Sequence, residues 1–414
     1  MKLFKSGLFF SAISVFESIT PLVLLPFLTK YLSVSDYGYL YTIVVIINIS
    51  TPFLLMGYPT FQSKEYYQSG VEFRKKVLGT YLYSQFYIAG FLGLISIPVY
   101  FIIGFFGLED FQFIWLVLIF ATSFLNAIFK SLKNYFRISF NTTVFGLGSF
   151  IKVFADIFLA MIFVYYISNS WTSKILASTV TTTFLVIFAC LILYKQKSFQ
   201  LVFNRQIFRN WVKFGFPLIF QRISQMVLNL SDRLLISMFL GTTATGIYTV
   251  GYQIGAAMQI FSLAVGQGWS PWFYKKYNSD QYDQKQVNKY IMGITLIAIA
   301  IYLLFITFGL KLLPLFVDLN KFQGIQQYVV IIGLSFVFYS IIACYTPFLM
   351  VANKTKQVAA ITTIASVLNV LLNIAFLKTH GPIVAAYTTL ICSVLQLVLI
   401  LYFVKKELVN NPST

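Results

Sequence analysis

The chain has 414 residues, of which 58% are apolar and 10% charged, against roughly 45–50% and roughly 25% in soluble domains. Thirty basic and 12 acidic residues cannot coat the several cores that a soluble chain of this length would need. That excludes a soluble protein, a disordered chain and a secreted disulfide scaffold, and leaves a polytopic membrane protein. The formal charge of +18 sits in short clusters between long apolar stretches, which reads as membrane topology and not as a nucleic-acid-binding face.

Apolar stretches long enough to cross a hydrocarbon core of roughly 30 Å predict twelve membrane helices. In chain order they cover 7–29, 39–56, 77–103, 111–129, 145–167 and 175–194, then, after a basic connector, 214–239, 247–266, 290–310, 328–352, 358–377 and 383–404. The first follows Lys2 and Lys5 as a signal sequence would, but it is too long, contains Pro21 and Pro26, and lacks a small-residue cleavage site, so it reads as a retained span. With the N-terminus inside, the inner segments hold 22 basic residues and the outer ones five. This excess places both termini in the cytoplasm. Without the charged seventh span, every later loop would change sides and the bias would reverse in the second half.

Gly38-Tyr39-Leu40-Tyr41 falls on Gly246-Ile247-Tyr248-Thr249 at an offset of 208 residues. Six spans per repeat is an even number, so the halves are parallel, related by an axis along the membrane normal. The expected fold class is all-α: a polytopic membrane protein of 12 transmembrane helices in two parallel-repeat six-helix bundles, with domains at 1–204 and 205–414.

Six ionisable residues fall within the predicted spans: Glu17, Lys152, Asp156, Arg222, Asp232 and Arg233. Each costs at least about 2.5 kcal/mol at mid-bilayer unless it faces protein or water, which makes them functional candidates, with packing partners as the alternative. At 100° per residue, Arg222, Gln225, Asn229, Asp232 and Arg233 share an arc about 100° wide on the seventh helix. Such a stripe must turn towards a wet cavity or another polar face. Arg222 lies about 12 Å inside the span, while Asp232 and Arg233 approach its outer end, where snorkelling or an interhelical role is the alternative to function. On the first helix Ser11, Ser14 and Ser18 lie on one side with Glu17 near the edge, and Pro21 and Pro26 make this helix a bending element. Lys152 and Asp156 are four apart and can neutralise each other. Asn369 and Asn373 have the same spacing and read as interhelical glue. Cys190, Cys344 and Cys392 read as ordinary buried thiols, and His380 as a solvated turn residue. No metal cluster, Walker loop or nucleophile motif is present in the sequence, so no cofactor and no enzymatic activity are expected.

The stretch FGFPLIFQRISQMVLNLSDRLLISMFLGTTATGIYTVGYQIG from Phe214 to Gly255 resembles the seventh and eighth helices of bacterial polysaccharide repeat-unit flippases of the Wzx type. Gly215, Pro217, the Asp232-Arg233 pair, Gly246, Tyr248 and Tyr252 carry the likeness. The segment from Asn369 to Ala386, with Gly381, Ala385 and Ala386, is similar to that family's eleventh-to-twelfth helix junction, as is the opening stretch through Asp36-Tyr37-Gly38 to its N-terminal region. The resemblance implies the multidrug, oligosaccharidyl-lipid and polysaccharide exporter superfamily, a two-lobed bundle and alternating access. It implies as cargo an undecaprenyl-pyrophosphate-linked oligosaccharide, carried from the cytoplasmic to the periplasmic leaflet of a bacterial inner membrane for O-antigen, lipopolysaccharide or capsule synthesis. The first helix lacks the intramembrane arginine of the peptidoglycan-precursor branch, which argues against lipid II as cargo.

On this reading Arg222 meets the pyrophosphate or an acidic sugar, Gln225 and Asn229 meet hydroxyls, and Lys152 and Ser14 add to the cavity. Glu17, Asp156 and Asp232 are candidates for ion coupling, with Arg233 beside Asp232. Membrane lipids and the glycan carrier are the expected partners, with a polymerase and chain-length machinery beyond them. Two rivals stand: a cation-coupled multidrug antiporter of the same fold, which would want unpaired acidic residues, and a membrane glycan polymerase or ligase, for which the outer loops offer few catalytic groups.

Overall fold

The computed structural model describes residues 2–103, 112–277, 282–352 and 354–410; some side chains within the helices, chiefly in the first, fourth and eighth, lie outside the described set. No strand occurs among these residues. The first half holds α1 (Lys2–Tyr31), α2 (Val34–Leu55), α3 (Tyr58–Gln68), α4 (Val71–Ile103), α5 (Phe113–Ile138), α6 (Thr142–Tyr166) and α7 (Trp171–Lys195). The second holds α8 (Arg205–Gly255), α9 (Met258–Tyr277), α10 (Gln284–Leu304), a π-helical turn (Phe305–Gly309), α11 (Leu310–Phe316), α12 (Ile325–Val351), α13 (Thr355–His380) and α14 (Ile383–Asn410).

Among the described residues, nine helices are long and apolar enough to cross a membrane. The other three predicted spans coincide with α1, α4 and the first part of α8, each long enough at about 1.5 Å per residue. Phe86, Phe154, Phe158, Leu296 and Leu371 are all more than half exposed. Water would not tolerate so many large apolar side chains at a surface, whereas lipid solvates them. The chain is an all-α, multi-pass membrane protein.

Two compact units divide it: Met1–Thr20 with Tyr31–Met226, and Pro21–Lys30 with Val227–Thr414. The helix α1 runs unbroken through both prolines, yet its residues before Pro21 group with unit 1 and those from Pro21 to Lys30 with unit 2. In the same way α8 leaves unit 1 after Met226.

In unit 1, α5 packs against α2, α3 and α7, and α7 against α6. Side-chain oxygens supply the helix starts, as Ser33 accepts from the Asp36 amide and Asn141 from that of Val144, satisfying donors with no partner inside the helix. The second predicted span breaks at Met56 and Gly57, both left-handed (φ 43° and 66°). This break frees carbonyls that must find donors in an apolar setting. Trp211 Nε1 donates to the Met56 carbonyl at 2.9 Å and Gln85 Nε2 to that of Leu54 at 3.0 Å. Gly215 lies so close that an added Cβ would sit 1.7 Å from the Met56 oxygen. The connector joins unit 1 as well: Thr80 Oγ1 donates to the Val202 carbonyl at 3.1 Å, and Asn204 caps α8 through the amides of Gln206 and Ile207.

In unit 2, α12 packs against α9, α10 and α14, and α14 against α13. Gly241 (φ 83°, ψ 174°) divides α8 into two helices, and Gly381 (φ 75°, ψ −173°) joins α13 to α14. Side chains other than glycine scarcely reach this backbone region. The sequence predicts a continuous eighth span over 247–266; the helix instead starts after Gly241, breaks at Ala256–Ala257 and resumes as α9 to Tyr277. An apolar window sees hydrophobicity and not a local interruption of the helix. Trp269 Nε1 donates to the Cys344 carbonyl at 2.8 Å and Ser262 Oγ to that of Phe336 at 2.8 Å, fastening α9 to α12. Lys321 Nζ reaches the Thr29 and Lys30 carbonyls at the C-terminal end of α1 at 3.2 and 3.4 Å, a cation where helix carbonyls and the macrodipole favour one.

Candidate functional site

Five basic side chains from four helices of unit 1 form one electrostatically connected group. Lys130 and Lys133 lie on α5, Lys152 on α6, Lys174 in the first turn of α7 and Arg222 on α8. Lys130 is close enough to couple with both Lys152 and Arg222, and Lys152 couples in turn with Lys133 and Lys174. Two carboxylates stand among them. Glu17 of α1 is ion-paired with Lys133, and Asp156 Oδ2 lies 3.6 Å from Lys152 Nζ. Three positive charges remain in excess. Lys130 and Arg222 are exposed, while Glu17, Lys133, Lys152, Asp156 and Lys174 are half-buried.

The group extends along the helix axes. The C-terminal end of α5 and the start of α6 meet at the turn 139–141. Counting about 1.5 Å per residue from that end, Lys133, Lys130 and Lys152 lie at about 8, 12 and 15 Å, and Lys174, counted along α7, at about 32 Å. Hydroxyls and rings hold the ammonium groups between these points. Lys152 Nζ donates to Thr182 Oγ1 at 3.2 Å and sits 5.2 Å from the Phe129 ring centroid. Lys174 Nζ donates to Ser178 Oγ at 2.7 Å, and Lys133 Nζ lies 4.8 Å from the centroid of Phe145.

Of the residues singled out in the sequence, Glu17, Lys152, Asp156 and Arg222 belong to this group. The side chains of Ser14, Gln225 and Asn229 lie outside the described residues. Charge counting assigns Lys130 and Lys133 to an inner segment and Lys174 to an outer one; all three lie in helices. The usable signal was spacing: Lys174, Ser178 and Thr182 recur every four residues and so share one face of α7.

The arc on α8 is not one surface. Arg222 is exposed in unit 1, whereas Asp232 and Arg233 are buried in unit 2, at 2% and 5% exposure. They do not snorkel. Tyr248 OH donates to Asp232 Oδ2, Arg233 Nη1 stands 3.8 Å from Asp232 Oδ1, and the guanidinium lies 4.2 Å from the Tyr252 ring centroid. Asp232 Oδ1 has no hydrogen-bond partner among the described residues. On α13, Asn373 Nδ2 donates to the Asn369 carbonyl at 2.9 Å and to its Oδ1 at 3.1 Å, while Asn369 Nδ2 donates to Thr388 Oγ1 of α14 at 3.3 Å. Asn369 thus joins α13 to α14, while both of these bonds from Asn373 stay within α13. Among the described residues, no three His, Cys, Asp or Glu side chains are grouped to hold a metal ion.

The family model of polysaccharide biosynthesis proteins matches residues 3–277, about two thirds of the chain, and the MatE model matches 217–375. The chain belongs to the polysaccharide biosynthesis protein family. Its fold is similar to that of the lipid II flippase MurJ in an inward closed conformation: 15% identity, 98% of this chain and 88% of that one covered, TM-score 0.77. It is also similar to a point mutant of the Vibrio cholerae MATE transporter VcmN (14% identity, 98% and 94% covered, TM-score 0.55). An outward-facing multidrug resistance MATE transporter of the MOP superfamily gives 12% identity, 99% and 97% covered, and a TM-score of 0.57. At these identities the likeness shows a shared fold. No curated protein matches the chain by sequence. This polysaccharide biosynthesis protein thus sets a cationic group within a fold shared by lipid and drug transporters.

Proposed function

We propose that the protein is a flippase for undecaprenyl-pyrophosphate-linked oligosaccharide repeat units, carrying them from the cytoplasmic to the periplasmic leaflet of the bacterial inner membrane by alternating access. The observation that carries this reading is the grouping of Lys130, Arg222, Lys133 and Lys152 on helices of one unit. A pyrophosphate cannot enter a hydrocarbon core unaccompanied, since a single charge there already costs several kcal/mol. Cations fixed on membrane helices offset that cost, while the prenyl tail remains in lipid. Arg222, exposed and about 12 Å inside its span, is the first contact. In this orientation both termini are cytoplasmic, and the product feeds a polymerase for O-antigen or capsule.

A cation-coupled drug antiporter needs acidic groups open to cationic cargo. Here Glu17 is held by Lys133, Asp156 by Lys152 and Asp232 by Arg233 and Tyr248. Asp156 and Asp232, each with one oxygen lacking a hydrogen-bond partner among the described residues, are the retained candidates for ion coupling. The test is a deletion strain: complete, unpolymerised lipid-linked units should accumulate on the cytoplasmic leaflet, and surface glycan should return with the wild-type protein. Accumulation on the periplasmic leaflet would mean a polymerase or ligase, and cation-driven drug resistance with glycan intact would mean an antiporter.

A further inference from the structure

We infer that unit 1 carries a second anion station, built by Lys152 and Lys174 and guarded by Asp156, which receives the diphosphate after the Arg222 cluster and gives it up again by counter-ion exchange. The inference rests on the flippase reading.

The spacing suits this ligand. Lys174 Nζ is held at Ser178 and Lys152 Nζ at Thr182, so the two ammonium groups anchor one helical turn apart on the same face of α7, about 6 Å along the axis. Adjacent phosphoryl groups of a diphosphate can each meet one of them. Asp156 faces both, being coupled to Lys174 as well as to Lys152. One carboxylate against two ammonium groups leaves the station with one positive charge, enough to draw an anion.

Asp156 is loosely held. Its Oδ2 stands 3.6 Å from Lys152, beyond a good charge-assisted hydrogen bond, and its Oδ1 has no hydrogen-bond partner among the described residues. A diphosphate, with more oxygens, displaces such a carboxylate at little cost. The carboxylate remains beside the lysines and competes to take them back. Transit requires this weakness, because a site that binds too tightly retains its cargo. Position fits a second station: Ser178 and Thr182, which hold the two ammonium groups, lie about 26 and 20 Å along α7 from its C-terminal end, beyond Lys130 at about 12 Å.

The experiment titrates inorganic pyrophosphate into the purified full-length protein in detergent, in an Arg222→Gln background that weakens the first cluster. Asp156→Asn, which keeps shape and removes charge, should tighten pyrophosphate binding about tenfold, and Lys174→Gln should weaken it about tenfold. In the deletion strain Asp156→Asn, with Arg222 intact, should lower surface glycan while binding more tightly. A merely structural Asp156 would not produce tighter binding. Geranyl diphosphate should displace pyrophosphate fully; failure to compete would overturn the assignment to the lipid-borne group. Unchanged or weaker binding in Asp156→Asn, with the wild-type protein restoring glycan, would overturn the station and leave the flippase reading standing. Lack of complementation by the wild-type protein would remove the flippase reading itself.

Discussion

Glu17 of α1 is ion-paired with Lys133 of α5, across 116 residues of sequence. Each residue explains the other. A lone carboxylate in the first span reads as a coupling group, and a lone lysine near the end of the fourth reads as a topology marker. Together they neutralise each other and fasten α1 to α5.

A charge swap tests that pair. Glu17→Lys places two cations side by side and should lower the detergent melting temperature by several degrees, while Glu17→Lys with Lys133→Glu should recover most of the loss. Both side chains are partly exposed, at 27% and 18%, so the pair contributes only about 1 kcal/mol. A double variant no more stable than the single one would show that the pairing does not hold α1.

Arg222 should tolerate lysine better than any neutral or acidic residue. At equal protein abundance, Arg222→Lys should keep a substantial share of surface glycan, Arg222→Ala should lose most, and Arg222→Glu should lose essentially all. The order follows from replacing a cation by another cation, by nothing and by a repelling anion beside Lys130. Wild-type glycan with both Arg222→Ala and Arg222→Glu would remove Arg222 from the site.

Gly241 and Gly381 share a backbone conformation that a Cβ penalises. Gly241→Ala and Gly381→Ala should each destabilise unit 2 by about 1–3 kcal/mol, although neither added methyl would meet another atom within 4 Å. Gly268→Ala is the control, because that glycine lies in α9 with equally open space and no positive φ. Thermal melting should separate the two glycines from the control. Equal melting temperatures would mean that the turns relax freely.

The buried group around Asp232 should show the asymmetry of paired charges. Tyr248→Phe removes the hydrogen bond to Asp232 and should cost about 1–3 kcal/mol. Arg233→Met leaves the carboxylate buried without its cation and should cost about 3–5 kcal/mol. Adding Asp232→Asn to Arg233→Met should restore stability in part, whereas additive losses would mean that the two charges do not act as a pair.

Much of the fold was legible because membranes impose a local rule. Each span must be apolar over about 20 residues, whatever its neighbours do, and charged loops report their side by simple excess. The twelve spans followed from that. The break at Ala256–Ala257 did not, since a two-residue interruption of the helix leaves hydrophobicity unaltered.

The site divided along the same line. Sequence by itself determined that Glu17, Lys152, Asp156, Arg222, Asp232 and Arg233 are costly where they stand and must be accounted for. It also determined that Lys152 and Asp156 meet, because four residues make one helical turn. Only tertiary structure decided that Lys130, Lys133 and Lys174 join them, that Glu17 belongs to Lys133, and that Arg222 and Asp232, neighbours on one arc, serve different units. Helical periodicity reaches one turn along a chain, while the charge of a site is summed through space over helices that packing brings together.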